Sequence, residues 1–326
     1  MDASLTGPGE GRRAGSRVPM IEIRDLRKVY GQHEALRGIS FTVYRGEILG
    51  FLGPNGAGKS TTMKIMTGLT PPTAGSARLA GYDVLDEPLE VRRRIGYLPE
   101  VPPLYPEMVV TDYLSFAAEI RGVPRSRRRA AIDAAVERCG LGEVRKRLVG
   151  NLSKGYRQRV GLAQAVIHDP EILILDEPTV GLDPTQVIEI RSIVREIGRE
   201  RTVILSSHIL PEVQATCHRV VIINRGAVVA EGDIETLLSR GGRSVVARLR
   251  RPPADPGELA GLPGVEQAVP LEADRWRLVV EPDPDTRERL VRELATGPWG
   301  LLEVMPEMTT LEEVFREVVL KEEAPR

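Results

Sequence analysis

The sequence predicts an α/β domain with a largely parallel sheet, followed by a small α+β domain. From residue 20 to about residue 240, short apolar runs of strand length alternate with amphipathic stretches of helical period. After residue 242, the pattern becomes strand, helix, strand, strand, helix, strand, with one more helix at the end. A chain of 326 residues is long enough to form both cores.

Each element of the first domain is predicted from its period and its flanking residues. IEIRDL and ISFTVY alternate apolar and polar residues, as half-buried strands do, whereas EILGFLG and EILILDE are buried apolar runs. Thr111 and Ser126 are expected to begin helices, and Gly140 to end one. The predicted strands are 21–26, 39–44, 47–53, 76–81, 95–99, 171–177, 202–208 and 218–224, and the predicted helices are 59–69, 111–122, 126–140, 152–168 and 184–200.

The second domain is predicted to be a ferredoxin-like module with an added helix, because βαββαβ is the order of that motif. Its predicted strands are 244–250, 265–271, 275–281 and 301–306, and its predicted helices are 255–262, 285–295 and 310–320. The predicted boundaries are 1–19 for a disordered tail, 20–240 for the first domain and 241–326 for the second. The alternative for the tail is a start site assigned upstream of Met20.

Composition excludes several classes of protein. Lys and Arg number 45 against 46 Asp and Glu, so no overall field attracts nucleic acid or anionic lipid. The arginine run PRSRRR at 124–129 is interpreted as a solvated helix face, and no nucleic-acid partner is expected. Cys139 and Cys217 suit a reducing compartment without a disulfide framework. No apolar run approaches the ~18 residues that a membrane helix needs.

The strongest chemical signal is GPNGAGKST at 53–61, which fits the pattern G-x-x-x-x-G-K-[ST] between a strand and a helix. Glycines let backbone N–H groups surround phosphate oxygens, and the helix N-terminus adds its dipole. Lys59 is expected to bind the β- and γ-phosphates of a nucleotide, and the Ser60 hydroxyl suits Mg²⁺. The segment therefore predicts a P-loop that binds a nucleotide.

Three polar side chains follow predicted parallel strands and complete a hydrolytic site. Asp176 ends a buried strand and is expected to hold Mg²⁺ through water, as in other P-loop NTPases. Glu177 follows it and is predicted to orient or deprotonate the attacking water. His208 ends the next strand, where it is placed to bind the γ-phosphate and hold that water in line.

A second anion site is indicated by LSKGYRQR at 152–159, where serine and glycine precede a helical stretch with basic residues around it. With this segment, the motifs GPNGAGKST, LSKGY, LILDEP, GLD and SSH occur in the order typical of an ABC-transporter ATP-binding subunit. The resemblance covers roughly residues 20–235. The C-terminal part, with TLEEVF at 310–315, resembles the accessory domain of ATPases that serve ABC-2 type exporters, including gliding-motility and antibiotic-efflux relatives.

This resemblance implies a RecA-like core, an antiparallel β part and a helical subdomain at about 101–165. It implies that Tyr30 stacks on adenine and that Asp183 links the two sites of a dimer. Ser153 and Gly155 then contact the γ-phosphate held by the opposite subunit, although Lys154 and Tyr156 depart from the commonest signature, LSGGQ. The implied ATP contacts of the loop are Gly53, Pro54, Asn55, Gly56, Ala57, Gly58, Lys59, Ser60 and Thr61.

A larger departure from the family pattern is Glu100, where glutamine is usual as a contact to Mg²⁺. Relatives of the motility and efflux type carry Pro-Glu here, so Glu100 is interpreted as a subgroup trait that retains activity. The following segment, 101–116, is a candidate contact for the permease. Its apolar members Tyr105, Met108, Tyr113 and Phe116 either form that contact or pack the helical subdomain's own core.

The resulting prediction is a cytoplasmic ATPase, peripheral on the membrane through an integral permease and using ATP and Mg²⁺. It is expected to act as a homodimer, since one chain carries one set of each motif, or as a heterodimer with a paralogue. The alternatives are an importer ATPase, a soluble ABC protein of DNA repair or translation, and a non-hydrolysing nucleotide binder.

Overall fold

The computed structural model describes residues 18–240, 244–281, 283–307, 310–313 and 315–316. The tail predicted at 1–19 lies outside the described residues, apart from its last two positions. The helix predicted at 310–320 is described only in part, at its first turn.

Within the described residues, the strands form three sheets. They are β1 (Pro19–Tyr30), β2 (His33–Tyr44), β3 (Ile48–Leu52), β4 (Ala74–Leu79), β5 (Tyr82–Asp83), β6 (Ile95–Leu98), β7 (Ile172–Asp176), β8 (Thr202–Ser207), β9 (Arg219–Asn224), β10 (Ala227–Asp233), β11 (Ser244–Leu249), β12 (Val265–Glu272), β13 (Arg275–Val280) and β14 (Leu301–Pro306). The sheet orders are β2-β1-β4-β5, β10-β9-β3-β8-β7-β6 and β12-β13-β11-β14.

The helices lie mostly where the apolar period predicts them. They are α1 (Lys59–Met66), α2 (Pro88–Arg94), α3 (Val110–Ile120), α4 (Arg125–Arg138), α5 (Lys154–Val166), α6 (Pro184–Gly198), α7 (Leu210–Thr216), α8 (Ile234–Arg240), α9 (Gly257–Ala260) and α10 (Pro284–Thr296). Helices α2, α7 and α8 are not predicted from the sequence, since each has only seven residues and shows little periodicity.

Two predicted helix caps are wrong. The N-cap of α3 is Val109 and that of α4 is Pro124, neither with a capping side chain, so Thr111 and Ser126 lie inside their helices. The N–H groups of Val110 and Thr111 instead donate to the carbonyl oxygens of Arg147 and Arg145. At the start of α3, tertiary backbone contacts therefore replace the expected Thr111 cap.

The six-stranded sheet positions the functional segments. Strands β3, β8, β7 and β6 pair in parallel. Residues of β3, β7 and β8 are buried throughout, as expected of strands covered on both faces. The carboxyl ends of these three strands lie at one sheet edge, which is where ligands bind in open α/β folds. The loop before α1, Glu177 and His208 all follow these ends.

By packing, the described residues divide into two compact units. The first runs to Cys217 and includes Val221–Val228, and its core combines strands of the antiparallel sheet with strands of the six-stranded sheet around α1. The second holds His218–Val220 and the described residues from Val229 onward. The domain boundary at 240/241 stays a prediction. Among the described residues, no helix has both the length and the apolar character to cross a membrane.

In the C-terminal unit, β11, α9, β12, β13, α10 and β14 follow one another in the predicted βαββαβ order. Its sheet is antiparallel throughout. One face forms a core in which Trp276 and Leu278 of β13 pack with Leu290 and Leu294 of α10. The fold class predicted for this part is confirmed.

Candidate functional site

The loop between β3 and α1 requires glycine at two positions for steric reasons. A Cβ on Gly58, whose φ is 111°, would lie 2.8 Å from the Ala35 carbonyl oxygen, and a Cβ on Gly53 would collide with the carbonyl oxygen of Ile223. Gly58 is also the N-cap of α1 and has no side chain to satisfy the first N–H groups of the helix. The helix start therefore presents backbone donors to an anion.

Lys59 is buried at the base of this loop, with 6% of its surface exposed. Its Nζ donates to the carbonyl oxygen of Gly53 at 2.7 Å and lies 3.4 Å from Oε1 of Glu177. A buried ammonium is stable only when its donors are paired, and here carbonyls and one carboxylate fill that role. An anion that enters the loop would therefore compete with the Glu177 carboxylate for the Lys59 ammonium.

Asp176 at the carboxyl end of β7 and Ser60 in the first turn of α1 bring two side-chain oxygens together. The Ser60 Oγ donates to Asp176 Oδ1 at 3.3 Å, and Ser206 Oγ donates to the same oxygen at 2.6 Å. Asp176 and Ser206 are paired in the register of β7 and β8, so the contact follows from the sheet. Burial, and secondarily the charge of Asp176, raise the pKa of Tyr97 to about 12, so this neighbouring phenol stays neutral.

Glu177 is held in an unusual backbone conformation. Its φ is 48°, a left-handed value that costs a non-glycine residue about 1–3 kcal/mol. The Glu177 N–H donates to Ser206 Oγ at 3.0 Å, which fixes the turn. Glu177 Oε2 lies 2.9 Å from Nδ1 of His208. The carboxylate therefore lies between an imidazole and an ammonium, at the edge of the sheet.

An open cleft of 470 Å³ gathers most of the predicted site residues. The predicted residues that line it are Tyr30, Pro54, Asn55, Gly56, Gly58, Lys59, Ser60, Thr61, Glu100, Glu177 and His208. Gly53, Ala57 and Asp176 are buried and do not line the cleft. The cleft also contains His33, Ala35 and Val180, which sequence reasoning missed. His33 directly follows the turn at Gly31 and Gln32 and pairs with Tyr30 across the hairpin, so its nearness to the predicted Tyr30 was the available signal.

Ser153, Gly155 and Asp183 do not line the cleft of their own chain. Ser153 is the N-cap of α5, and its Oγ accepts a hydrogen bond from the Tyr156 N–H at 3.4 Å. Asp183 caps α6 in the same manner, accepting from the Gln186 N–H at 3.0 Å. A Cβ on Gly155 would meet the Gln186 side chain at 2.5 Å, so the starts of α5 and α6 are neighbours. The exposed side chains of Ser153 and Asp183 therefore form a second polar surface, beside the buried Gly155.

Residues 36–180 match the family model described as "ABC transporter". The chain is 40% identical to the bacitracin transport ATP-binding protein BcrA of Bacillus licheniformis over 68% of this chain and 72% of that protein. It is 35% identical to the linearmycin resistance ATP-binding protein LnrL of Bacillus subtilis, over 71% and 74% respectively. A solved ATP-binding subunit of an ABC transporter superposes with a TM-score of 0.62 and 32% identity, covering 68% of this chain and 93% of that one.

Proposed function

Because the chain belongs to the ABC transporter family of ATP-binding proteins, we propose that it is the ATPase subunit of an ABC-2 type exporter, powered by nucleotide-driven dimerisation. The observation that carries this proposal is the cleft in which Lys59, Glu177 and His208 meet beside the glycine-rich loop. Export is supported by the relatives named for bacitracin transport and linearmycin resistance. The same proposal assigns residues 241–326 to an accessory domain and residues of about 101–165 to a helical subdomain.

In the proposed mechanism, Tyr30 stacks on adenine while the loop N–H groups and Lys59 bind the phosphates. The γ-phosphate takes the place of Glu177 at the Lys59 ammonium, which frees this carboxylate to receive a proton from the attacking water. His208 is 2.9 Å from Glu177 and keeps the carboxylate and the water aligned. Release of phosphate then restores the Lys59–Glu177 pair.

The oxygen donors at Ser60 and Asp176 fit Mg²⁺, which favours hydroxyl, carboxylate and phosphate oxygens. Among the residues that the structure describes, no group of three or more His, Cys, Asp or Glu side chains is arranged as a metal site. Ser60 and Asp176, with Glu100 at the cleft rim, would therefore hold the ion together with the nucleotide. When bound, Mg²⁺ would neutralise phosphate charge.

Dimerisation accounts for the second polar surface. Ser153 and Gly155 at the start of α5 would bind the γ-phosphate in the partner's cleft, and Asp183 would lie near the same junction. The Ser153 hydroxyl, the helix dipole and the nearby Lys154 all favour an anion there. Each ATP then joins two chains, so binding closes the dimer and hydrolysis opens it.

Replacing Glu100 with glutamine is expected to change kcat for ATP hydrolysis by less than about tenfold, or 1.4 kcal/mol in the barrier. Glu100 is exposed at the cleft rim, and an amide oxygen remains a ligand for a hard cation. Steady-state ATPase assays over a range of Mg²⁺ concentrations would measure the effect. A loss beyond about a hundredfold would assign Glu100 an essential role instead.

The permease is proposed to dock on an aromatic patch at Tyr105 and Phe116, whose rings meet edge to face at 5.6 Å. These side chains are 45% and 38% exposed, whereas Tyr113 is buried and Met108 is half-buried. Phe116→Asp is expected to abolish co-purification of the permease while ATPase activity of the isolated subunit stays within about twofold. Leu302→Asp, at another exposed apolar side chain, is the matched control and should co-purify normally.

The direction of transport separates an exporter from an importer. In inverted membrane vesicles that contain the subunit and its permease, added ATP should drive substrate into the lumen. ATP-dependent loss of preloaded substrate from the lumen would support the importer alternative instead. The Glu177→Gln subunit provides the inactive control for both measurements.

A further inference from the structure

Lys28 lies directly beside Tyr30, the residue proposed to stack on adenine. The two residues are separated by one position in β1, so their side chains project from the same side of the strand. The Lys28 Nζ is 4.9 Å from the centroid of the Tyr30 ring, within the range of a cation–π contact. Tyr30 lines the cleft and Lys28 does not, so a ligand in the cleft would meet the Tyr30 ring and not the Lys28 ammonium.

The ammonium of Lys28 is anchored in this position. Its Nζ donates to the carbonyl oxygen of Pro71 at 2.7 Å, in the loop between α1 and β4. Two further bonds join that loop to β1: the Val29 N–H donates to Thr73 Oγ1 at 3.0 Å, and the Thr73 N–H donates to the Arg27 carbonyl oxygen at 2.8 Å. The Lys28 ammonium is thus held in one position, whereas the side chain of an unanchored lysine would sample many rotamers.

Tyr30 needs such support because its local environment does little to orient it. It is 45% exposed at the end of β1, next to the turn at Gly31 and Gln32. An aromatic ring that must find its orientation at each binding event loses part of the stacking energy as entropy. A cation on the ring restricts the ring plane and leaves the remaining π-surface for the base.

We propose that Lys28 is a positioning residue for nucleotide binding, which acts through Tyr30 by holding its ring in the orientation that receives the adenine base. This proposal rests on the stacking role of Tyr30 in the proposed function. Lys28 does not contact the nucleotide itself. Its contribution therefore concerns the base and is independent of the phosphates.

The test is a double-substitution cycle on the full chain. Lys28→Met removes the charge at similar length and is expected to raise KM for ATP about two- to fivefold, which is the size of a cation–π contact at an exposed site. The kcat value should not change. Lys28→Arg keeps a cation and a donor for Pro71, so it should retain most of the affinity. In a Tyr30→Ala background, Lys28→Met should have no further effect on KM.

Inhibition by tripolyphosphate, which lacks a base, separates base binding from phosphate binding. Its inhibition constant should be the same for wild type and Lys28→Met. An unchanged KM in Lys28→Met, an equal increase in the Tyr30→Ala background, or weaker tripolyphosphate inhibition would each overturn the role of Lys28. If Tyr30→Ala alone leaves KM unchanged, the stacking role of Tyr30 fails and that of Lys28 fails with it. Failure of Lys28→Met alone leaves the role of Tyr30 standing.

Discussion

Glu177→Gln is expected to lower kcat for ATP hydrolysis about a thousandfold, equivalent to ~4 kcal/mol in the barrier. The amide cannot accept the proton of the attacking water, although it keeps the size and shape of the carboxylate. The same change removes the negative charge 3.4 Å from Lys59 Nζ, so the γ-phosphate no longer competes with it. ATP should therefore bind at least as tightly as in wild type and remain unhydrolysed.

Glu171→Gln is the matched control for this variant. Glu171 precedes the same strand, β7, but forms ion pairs with Arg45 and Arg94 on the surface, remote from the cleft lining. Exposed ion pairs contribute about 0–1 kcal/mol, so its ATPase activity should stay close to wild type. Single-turnover assays with labelled ATP would distinguish slow chemistry from slow product release. Full activity in Glu177→Gln would remove Glu177 from the mechanism.

Ser153→Arg is the second change with a large expected effect: hydrolysis should fall at least about a hundredfold, or ~2.7 kcal/mol in the barrier. The long side chain would fill the space at the start of α5 that the partner's γ-phosphate must enter. ATP binding by the monomer should be retained, because Ser153 does not line its own cleft. ATPase assays together with equilibrium binding of a fluorescent ATP analogue would measure both quantities.

The substitution also removes a helix cap, which costs about 1 kcal/mol of folding stability and cannot by itself abolish activity. Ser126→Arg is a suitable control, since Ser126 is exposed in the first turn of α4 and makes no cleft contact. It should leave hydrolysis unchanged. A Ser153→Arg protein that loses monomer ATP binding to the same extent as hydrolysis would place Ser153 in its own chain's site.

The strand, loop and helix around Lys59 could be predicted from sequence because their determinants are local. A buried apolar run, glycines at fixed spacing and a helical period all occur within residues 47–69. The α/β fold and the C-terminal βαββαβ order were predictable from the same kind of local periodicity, and the structure confirms both. The assignment of site roles stays a proposal.

Features that depend on tertiary contacts could not be predicted in this way. The left-handed φ of Glu177 is accompanied by its N–H bond to Ser206. The position of the Lys28 ammonium over the Tyr30 ring depends on Pro71, more than forty residues away. The helix start at Val110 likewise depends on the carbonyl oxygen of Arg147. The hydrogen bond from Ser206 to Asp176 follows from the register between β7 and β8, which only the structure shows.

In the proposed mechanism, two chains close around ATP and each completes the other's site. This closure is measured by light scattering of Glu177→Gln with ATP, alongside the double variant Glu177→Gln/Ser153→Arg. We expect a particle of twice the 35.9 kDa chain mass for Glu177→Gln, and a single-chain mass for the double variant, which still binds ATP. An ATP-loaded monomer in the first case, or a persistent dimer in the second, would contradict it.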